Sequence, residues 1–167
     1  MLNDALAKAL NQQIASEFSA SNHYLAIATY FAKQSLDEWA DFFFRQSDEE
    51  RMHGMKILTY LIDNDAEVHL PAVSEARVEF TDALDAVSSA LKSEQNVTEQ
   101  FNNMAFIASE QKDFRGLQFL QWFINEQVEE EALMGKLVDL VKSGINLFQA
   151  QQYLPVVDAE AGGTPPA

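Results

Sequence analysis

The stretch Asp48-Glu49-Glu50-Arg51-Met52-His53 sits in the middle of an apolar-patterned segment of a 167-residue chain. Leu36, Phe43 and Ile57 recur around it at heptad spacing and mark the seam of a helix that faces a bundle core. Glu50 falls on that seam, and His53 lies about one turn further along the same face. A carboxylate and an imidazole in a core need partners, because burying a lone charge costs several kcal/mol. Either a cation waits on that face or the stretch is not a core-facing helix, and the other segments decide between the two.

The pattern predicts a first helix from about Asn3 to Lys33, with Leu10, Ile14, Ser21, Tyr24 and Phe31 on its buried face and Glu17 among them. A short break at residues 34–37 folds the second helix, about Leu36 to Asp63, back antiparallel. From Asn64 to Thr81 no steady period survives, and Asp65 and Pro71 interrupt it. A connection of about 17 residues spans about 55 Å when extended, enough to travel the roughly 40 Å length of such a helix. The third helix can therefore start at the far end and run parallel to the second, as in long-crossover four-helix bundles.

The third helix, about Asp82 to Gln111, carries Leu84, Val87, Leu91, Thr98, Phe101, Ala105 and Ala108 on one face, with Glu94 among them. The fourth, about Phe114 to Lys142, carries Leu120, Phe123, Met134, Leu137 and Val141, with Gln127 and Glu130 in the middle. Ser143-Gly144 closes it, and Ile145 to Tyr153 forms a short fifth helix ended by Pro155. The expectation is an all-α domain over residues 1–155 and a disordered tail over 156–167.

Composition narrows the chemistry. The formal net charge of −15 argues against nucleic acid, which needs clustered Lys and Arg, and fits either metal cations or a well-solvated surface. With no cysteine there are no disulfides or thiolate sites, so any metal is held by oxygen and nitrogen. Met1-Leu-Asn-Asp shows neither a basic nor an apolar leader region, and no apolar run approaches the roughly 20 residues that span a bilayer. The chain reads as cytoplasmic, with no membrane partner.

The seam of every long helix is interrupted near its midpoint by the same chemistry: Glu17, then Glu50 with His53, then Glu94, then Gln127 with Glu130. Helices of similar length share their middle level whichever way each one runs, so these groups converge at one height. Four carboxylates and an imidazole with a Gln beside them describe a site for two divalent cations, iron or manganese by ligand type. Inward Glu from facing helices plus Glu-x-x-His is the pattern of di-iron carboxylate bundles. Tyr24, two turns from Glu17, reads as a buried tyrosine bonded to a carboxylate or as an electron donor beside the metals. Trp122 reads as packing, and His23 and His69 as surface residues. Met52, Met55, Met104 and Met134 read as core or subunit interface. Glu49, Glu126 and Glu129 form an adjoining acidic group, either a solvated face or a third cation site.

These residues resemble a bacterial non-haem ferritin. The resemblance rests on Glu17 with Tyr24, on Glu49-Glu50-x-x-His53, on Glu94, and on Gln-Trp-Phe-Ile-Asn-Glu-Gln-Val-Glu-Glu-Glu at 121–131, and it extends to about Lys142. It implies a ferritin-like four-helix bundle in a homo-oligomeric shell of 24 subunits, oxidising Fe(II) with dioxygen or hydrogen peroxide and storing ferric mineral. Glu17, Glu50 and His53 would hold one iron. Glu50 would bridge to a second, held with Glu94 and Glu130 and with Gln127 nearby. Glu49, Glu126 and Glu129, with Glu130 contributing, would form a third site. The second Glu-x-x-His of bacterioferritin and di-iron oxygenases is absent, its place taken by Gln127 and Glu130. Met52 is offset by one position from bacterioferritin's haem ligand, so no haem is expected. Leu117 and Leu120 stand where animal ferritins carry the acidic pair of the three-fold pore. The alternatives are a di-iron or di-manganese oxidase, peroxidase or catalase that stores no metal, and a metal-free structural bundle.

Overall fold

Four long helices, α1 (Asp4–Ala32), α2 (Asp37–Asp63), α3 (Ala83–Glu110) and α4 (Phe114–Lys142), carry almost all the regular structure. A single turn of helix, α5 (Leu147–Ala150), leads into a 3-10 turn at Gln151–Tyr153. The computed structural model describes residues 2–156, and among these there is no strand. The expected disordered tail, 156–167, lies outside the described residues apart from Val156.

The starts of three long helices are set by side chains that satisfy otherwise orphaned backbone N–H groups. Asn3 Oδ1 accepts from Ala5 and Leu6 at 2.9 and 3.3 Å, Asp82 from Asp85 at 2.8 Å, and Asp113 from Gly116 at 2.9 Å. Asp113 also accepts from the Asn3 amide at 3.3 Å, which ties the start of α1 to the α3–α4 turn. The ends of α1, α2 and α3 turn through left-handed residues that are not glycine: Ser35 at φ 59°, Asp65 at 53° and Lys112 at 56°. In each case the next amide reaches back five residues, Leu36 to Phe31, Ala66 to Leu61 and Asp113 to Ala108, closing a Schellman turn.

The fifth helix is shorter than the sequence pattern predicts. Asn146 caps it, accepting from Phe148 and Gln149, so it starts after Asn146 rather than at Ile145. Trp39 Nε1 donates to the Leu147 carbonyl at 3.0 Å, and Gln151 Oε1 accepts from the Glu38 amide at 3.0 Å, docking this segment on the first turn of α2.

The crossover travels along α1. Asn11 donates to the Glu67 carbonyl at 2.9 Å and accepts from the His69 amide at 2.6 Å, and Ser19 accepts from Ser74 at 3.1 Å. Phe80 then packs on His23 and Tyr30. This delivers the chain to Asp82 at the far end of the bundle, and α3 runs parallel to α2 as the length argument requires. His23 is consequently half-buried, bonded to Ser89 at 3.2 Å, rather than a surface residue, because the crossover covers it.

α1 packs on α2 and α3 on α4, with α1 and α3 making the close approach between the two hairpins. Of the expected α3 face, Val87, Phe101 and Ala108 are buried while Leu84, Leu91, Thr98 and Ala105 are only half-buried, because the buried side is turned toward Ala83, Ala86, Ala90 and Val97. The core falls into two apolar halves. One holds Tyr24, Phe31, Trp39, Phe42, Phe43 and Met134, and the other Leu6, Leu10, Ile14, Ile57, Phe101 and Phe123. The layer between them is polar. No described helix is long and apolar enough to cross a membrane.

Left-handed Lys112 is strained in a way glycine is not, by about 1–2 kcal/mol offset in part by glycine's chain entropy. Lys112→Gly should raise the thermal midpoint by about 2–3 °C, measured by scanning calorimetry; a lower midpoint would show that the turn is held by something else.

Candidate metal centre

The polar layer is built by four helices that each place one or two donors at the same height. On α1, Glu17 and Tyr24 are both fully buried, separated by seven residues and so on one face. On α2, Glu50 and His53 are buried. Two devices set the register between these helices. Ser21 and Ser47 exchange side-chain-to-carbonyl bonds of 2.8 and 2.9 Å between α1 and α2. Next to His53, Gly54 leaves room for the Phe18 ring, because a Cβ there would fall 2.7 Å from ring atom Cε1.

Glu17, Glu50 and His53 each offer a ligand atom within 4.8 Å of the others. His53 Nδ1 lies 3.5 Å from Glu50 Oε2 and 3.8 Å from Glu17 Oε2. Across the layer, Glu94 accepts from the Tyr24 hydroxyl at Oε1 and from Gln127 Nε2 at Oε2, the latter at 3.0 Å. Glu130 is buried on α4, and Glu49 meets it from α2. Glu17 Oε2, Glu50 Oε1, His53 Nδ1 and Glu130 Oε2 are all buried without a hydrogen-bond partner. Native structures rarely leave so many buried polar atoms together unpaired. Three carboxylate oxygens and an imidazole nitrogen form a donor set that suits a hard or borderline divalent cation.

Residues 7–143 match the family model described as a ferritin-like domain. The chain belongs to the ferritin family. It is 41% identical over 159 residues to ferritin BfrB of Mycolicibacterium smegmatis, covering 95% of this chain and 88% of that protein. It is 42% identical over 133 residues to a bacterial non-heme ferritin of Staphylococcus aureus, covering 80% of each. Among solved structures, an open-pore ferritin from the archaeon Archaeoglobus fulgidus superimposes with a TM-score of 0.90 at 30% identity, covering 95% of this chain and 100% of that one. The expected ferritin bundle and short C-terminal helix are those of the structure, and iron storage is the business of the family.

In this ferritin every carboxyl group of the layer is pushed above the ordinary carboxylate range. Burial is the first cause for all of them. For Glu17 the Glu50 charge adds to it, for Glu50 that of Glu94, and for Glu130 those of Glu94 and Glu49. Glu94 is raised too, although the Tyr24 and Gln127 hydrogen bonds oppose the shift. Burial and then the Glu94 charge push the Tyr24 phenol well above its usual value, so it remains a donor. The neighbouring acidic group is more open. Glu49 and Glu126 are half-buried, each raised first by burial, and the Glu126 charge adds to the shift of Glu49. Glu129 lies on the exposed side, near enough for its charge to raise Glu126.

One supporting residue escaped the sequence pattern, whereas Trp122 packs as expected. Gln13, one turn before Glu17, donates to its Oε1 at 2.7 Å. Its signal was a glutamine four residues before a seam carboxylate, which is indistinguishable from a surface pair without the fold. Trp122 packs edge-on against His53 at a centroid distance of 5.5 Å and carries Lys56 Nζ 3.8 Å above its ring.

A raised folded-state carboxyl pKa means that the metal-free fold keeps protons the unfolded chain releases. That stability is complete below the unfolded value near 4.5 and is lost as pH rises through the raised folded values. In chelator-treated protein, Glu50→Gln should therefore gain over the parent as pH goes from about 4.5 to 7, reaching at least about 1 kcal/mol. Excess Zn(II) should reverse the ranking at pH 7 by stabilising the parent by about 2–3 kcal/mol. Denaturant melts with and without Zn(II) read both effects, and a pH-independent difference would contradict the assignment of Glu50 to a crowded carboxyl layer.

Proposed function

We propose that the chain is an iron-storage ferroxidase, oxidising Fe(II) at a centre inside each subunit and depositing ferric oxyhydroxide in a multi-subunit shell. The observation that carries this reading is the set of orphaned donors, Glu17 Oε2, Glu50 Oε1, His53 Nδ1 and Glu130 Oε2, in a layer that supplies no cation of its own.

Glu17, Glu50 and His53 bind one Fe(II) as substrate, and Glu50 shares its carboxylate with a second Fe(II) held by Glu94 and Glu130. Gln13 bonds Glu17, while Tyr24 and Gln127 each bond one oxygen of Glu94, and these contacts hold the two carboxyl groups in place. Binding releases the protons that the raised pKa values retain, so iron uptake weakens as pH falls. The charged carboxylates favour Fe(III) over Fe(II), and two irons supply the two electrons that take dioxygen, with two protons, to hydrogen peroxide. Glu49, Glu126 and Glu129, together with Glu130, serve as a weaker and more solvated third site through which ferric product leaves the centre. The net charge of −15 per chain supports this role, since a shell of such chains concentrates cations.

Aerobic addition of Fe(II) to the metal-free protein should give rapid ultraviolet absorbance and a soluble ferric core, in a particle of several hundred kDa. Glu50→Ala combined with His53→Ala should slow the first turnover at least about tenfold. An undiminished rate would remove the centre from these residues, and a native mass of one or two subunits would remove the storage role.

A further inference from the structure

Gln46 lies on α2 four residues before Glu50 and therefore on the same helix face. It is 0% exposed, yet neither Nε2 nor Oε1 has a hydrogen-bond partner. An unpaired buried amide costs about 1–3 kcal/mol, so both atoms lack partners that a small bound molecule could supply. Their level in the bundle follows from the register of α2 and α4, which run in opposite directions. His53 packs on the Trp122 and Phe123 rings at centroid distances of 5.5 and 5.9 Å. Two turns back from His53 is Gln46, and two turns on from Phe123 is Glu130, with Glu49 meeting Glu130 in between. Gln46 thus faces the layer within about one turn of Glu130, whose Oε2 is also unpaired.

The amide restricts what can bind. A metal ion satisfies Oε1 and the carboxylate oxygens but leaves Nε2, a donor, without an acceptor. A small oxygen molecule that both donates and accepts satisfies both ends of the amide. We propose that Gln46 lines an oxidant subsite beside the metal centre that binds hydrogen peroxide, with water as its resting occupant. Dioxygen carries no hydrogen to donate and accepts only weakly, so it gains little there. In peroxide-driven turnover the O–O bond breaks, each of two Fe(II) gives one electron, and two protons complete two waters. Gln46 donates from Nε2 to one peroxide oxygen and accepts a peroxide hydrogen at Oε1, holding the molecule against the centre. This inference rests on the ferroxidase reading above and adds a subsite through which hydrogen peroxide serves as a further oxidant.

The test compares the assembled parent with Gln46→Met, which keeps the side-chain length and removes both polar atoms. Initial steady-state rates of Fe(II) oxidation are measured over a range of hydrogen peroxide concentrations under anaerobic conditions and, separately, with dioxygen. The variant should show a KM for peroxide raised about tenfold, the loss of roughly one buried hydrogen bond. Its kcat with peroxide, its rate with dioxygen and its Co(II) binding stoichiometry should stay within about twofold of the parent. An unchanged KM for peroxide, or equal losses with both oxidants alongside weaker Co(II) binding, would overturn the subsite. Should the variant not assemble, a high-resolution crystal of the metal-free parent decides: an ordered oxygen bonded to the Gln46 amide supports the proposal, and an amide paired to protein alone overturns it. A parent that oxidises iron with neither oxidant removes the ferroxidase reading itself, whereas an active parent with no oxidant-specific effect at Gln46 removes only this inference.

Discussion

Four carboxyl groups share one buried layer, and no lysine or arginine among the described residues is buried with them. Much of the remaining structure follows from that constraint. Carboxylates in a low-dielectric layer repel one another and lose their water, so the metal-free fold holds them by retaining protons. Tyr24, Gln13 and Gln127 donate to Glu94 and Glu17 and satisfy only part of the demand. The remaining donors have no partner within the protein, and this deficit is the ground for proposing that the layer takes up divalent cations.

The apolar halves on either side provide the stability that the layer does not. Phe31, Trp39 and Phe43 stack at 5.0 and 5.8 Å in one half, and Phe101 stacks on Phe123 at 4.6 Å in the other. These rings each bury a large area and hold the helices in one arrangement. The serine pair between α1 and α2, the Gly54–Phe18 contact and the pinned crossover then set the heights at which the donors meet. A slip of one residue would rotate a carboxylate about 100° away from its partners, so these register devices shape the chemistry as directly as the ligands do.

The fold was largely legible because helical periodicity is a long-range average. Four apolar stripes of about 28 residues, each with one midpoint interruption, leave little freedom in the assignment of Glu17, Glu50, His53, Glu94 and Glu130. The crossover was legible from its length alone. Less visible were features that depend on a single local contact. Ser35, Asp65 and Lys112 end helices in left-handed turns without the glycine that normally announces them. Asn146 shortens the last helix by capping it, and His23 is covered by a segment more than fifty residues away in sequence.

The sequence by itself determined that four helices bring acidic donors to a common height in a chain without thiolates, because residue spacing sets both helix face and level. It also carried the resemblance that the family match bears out. Only the tertiary structure decided which atoms are left unpaired, because hydrogen-bond partnership depends on distances between helices that spacing does not encode. Gln46 shows the difference most plainly: in the sequence it is one glutamine among many, and in the folded bundle it is an amide with nothing to bond, one turn from Glu50.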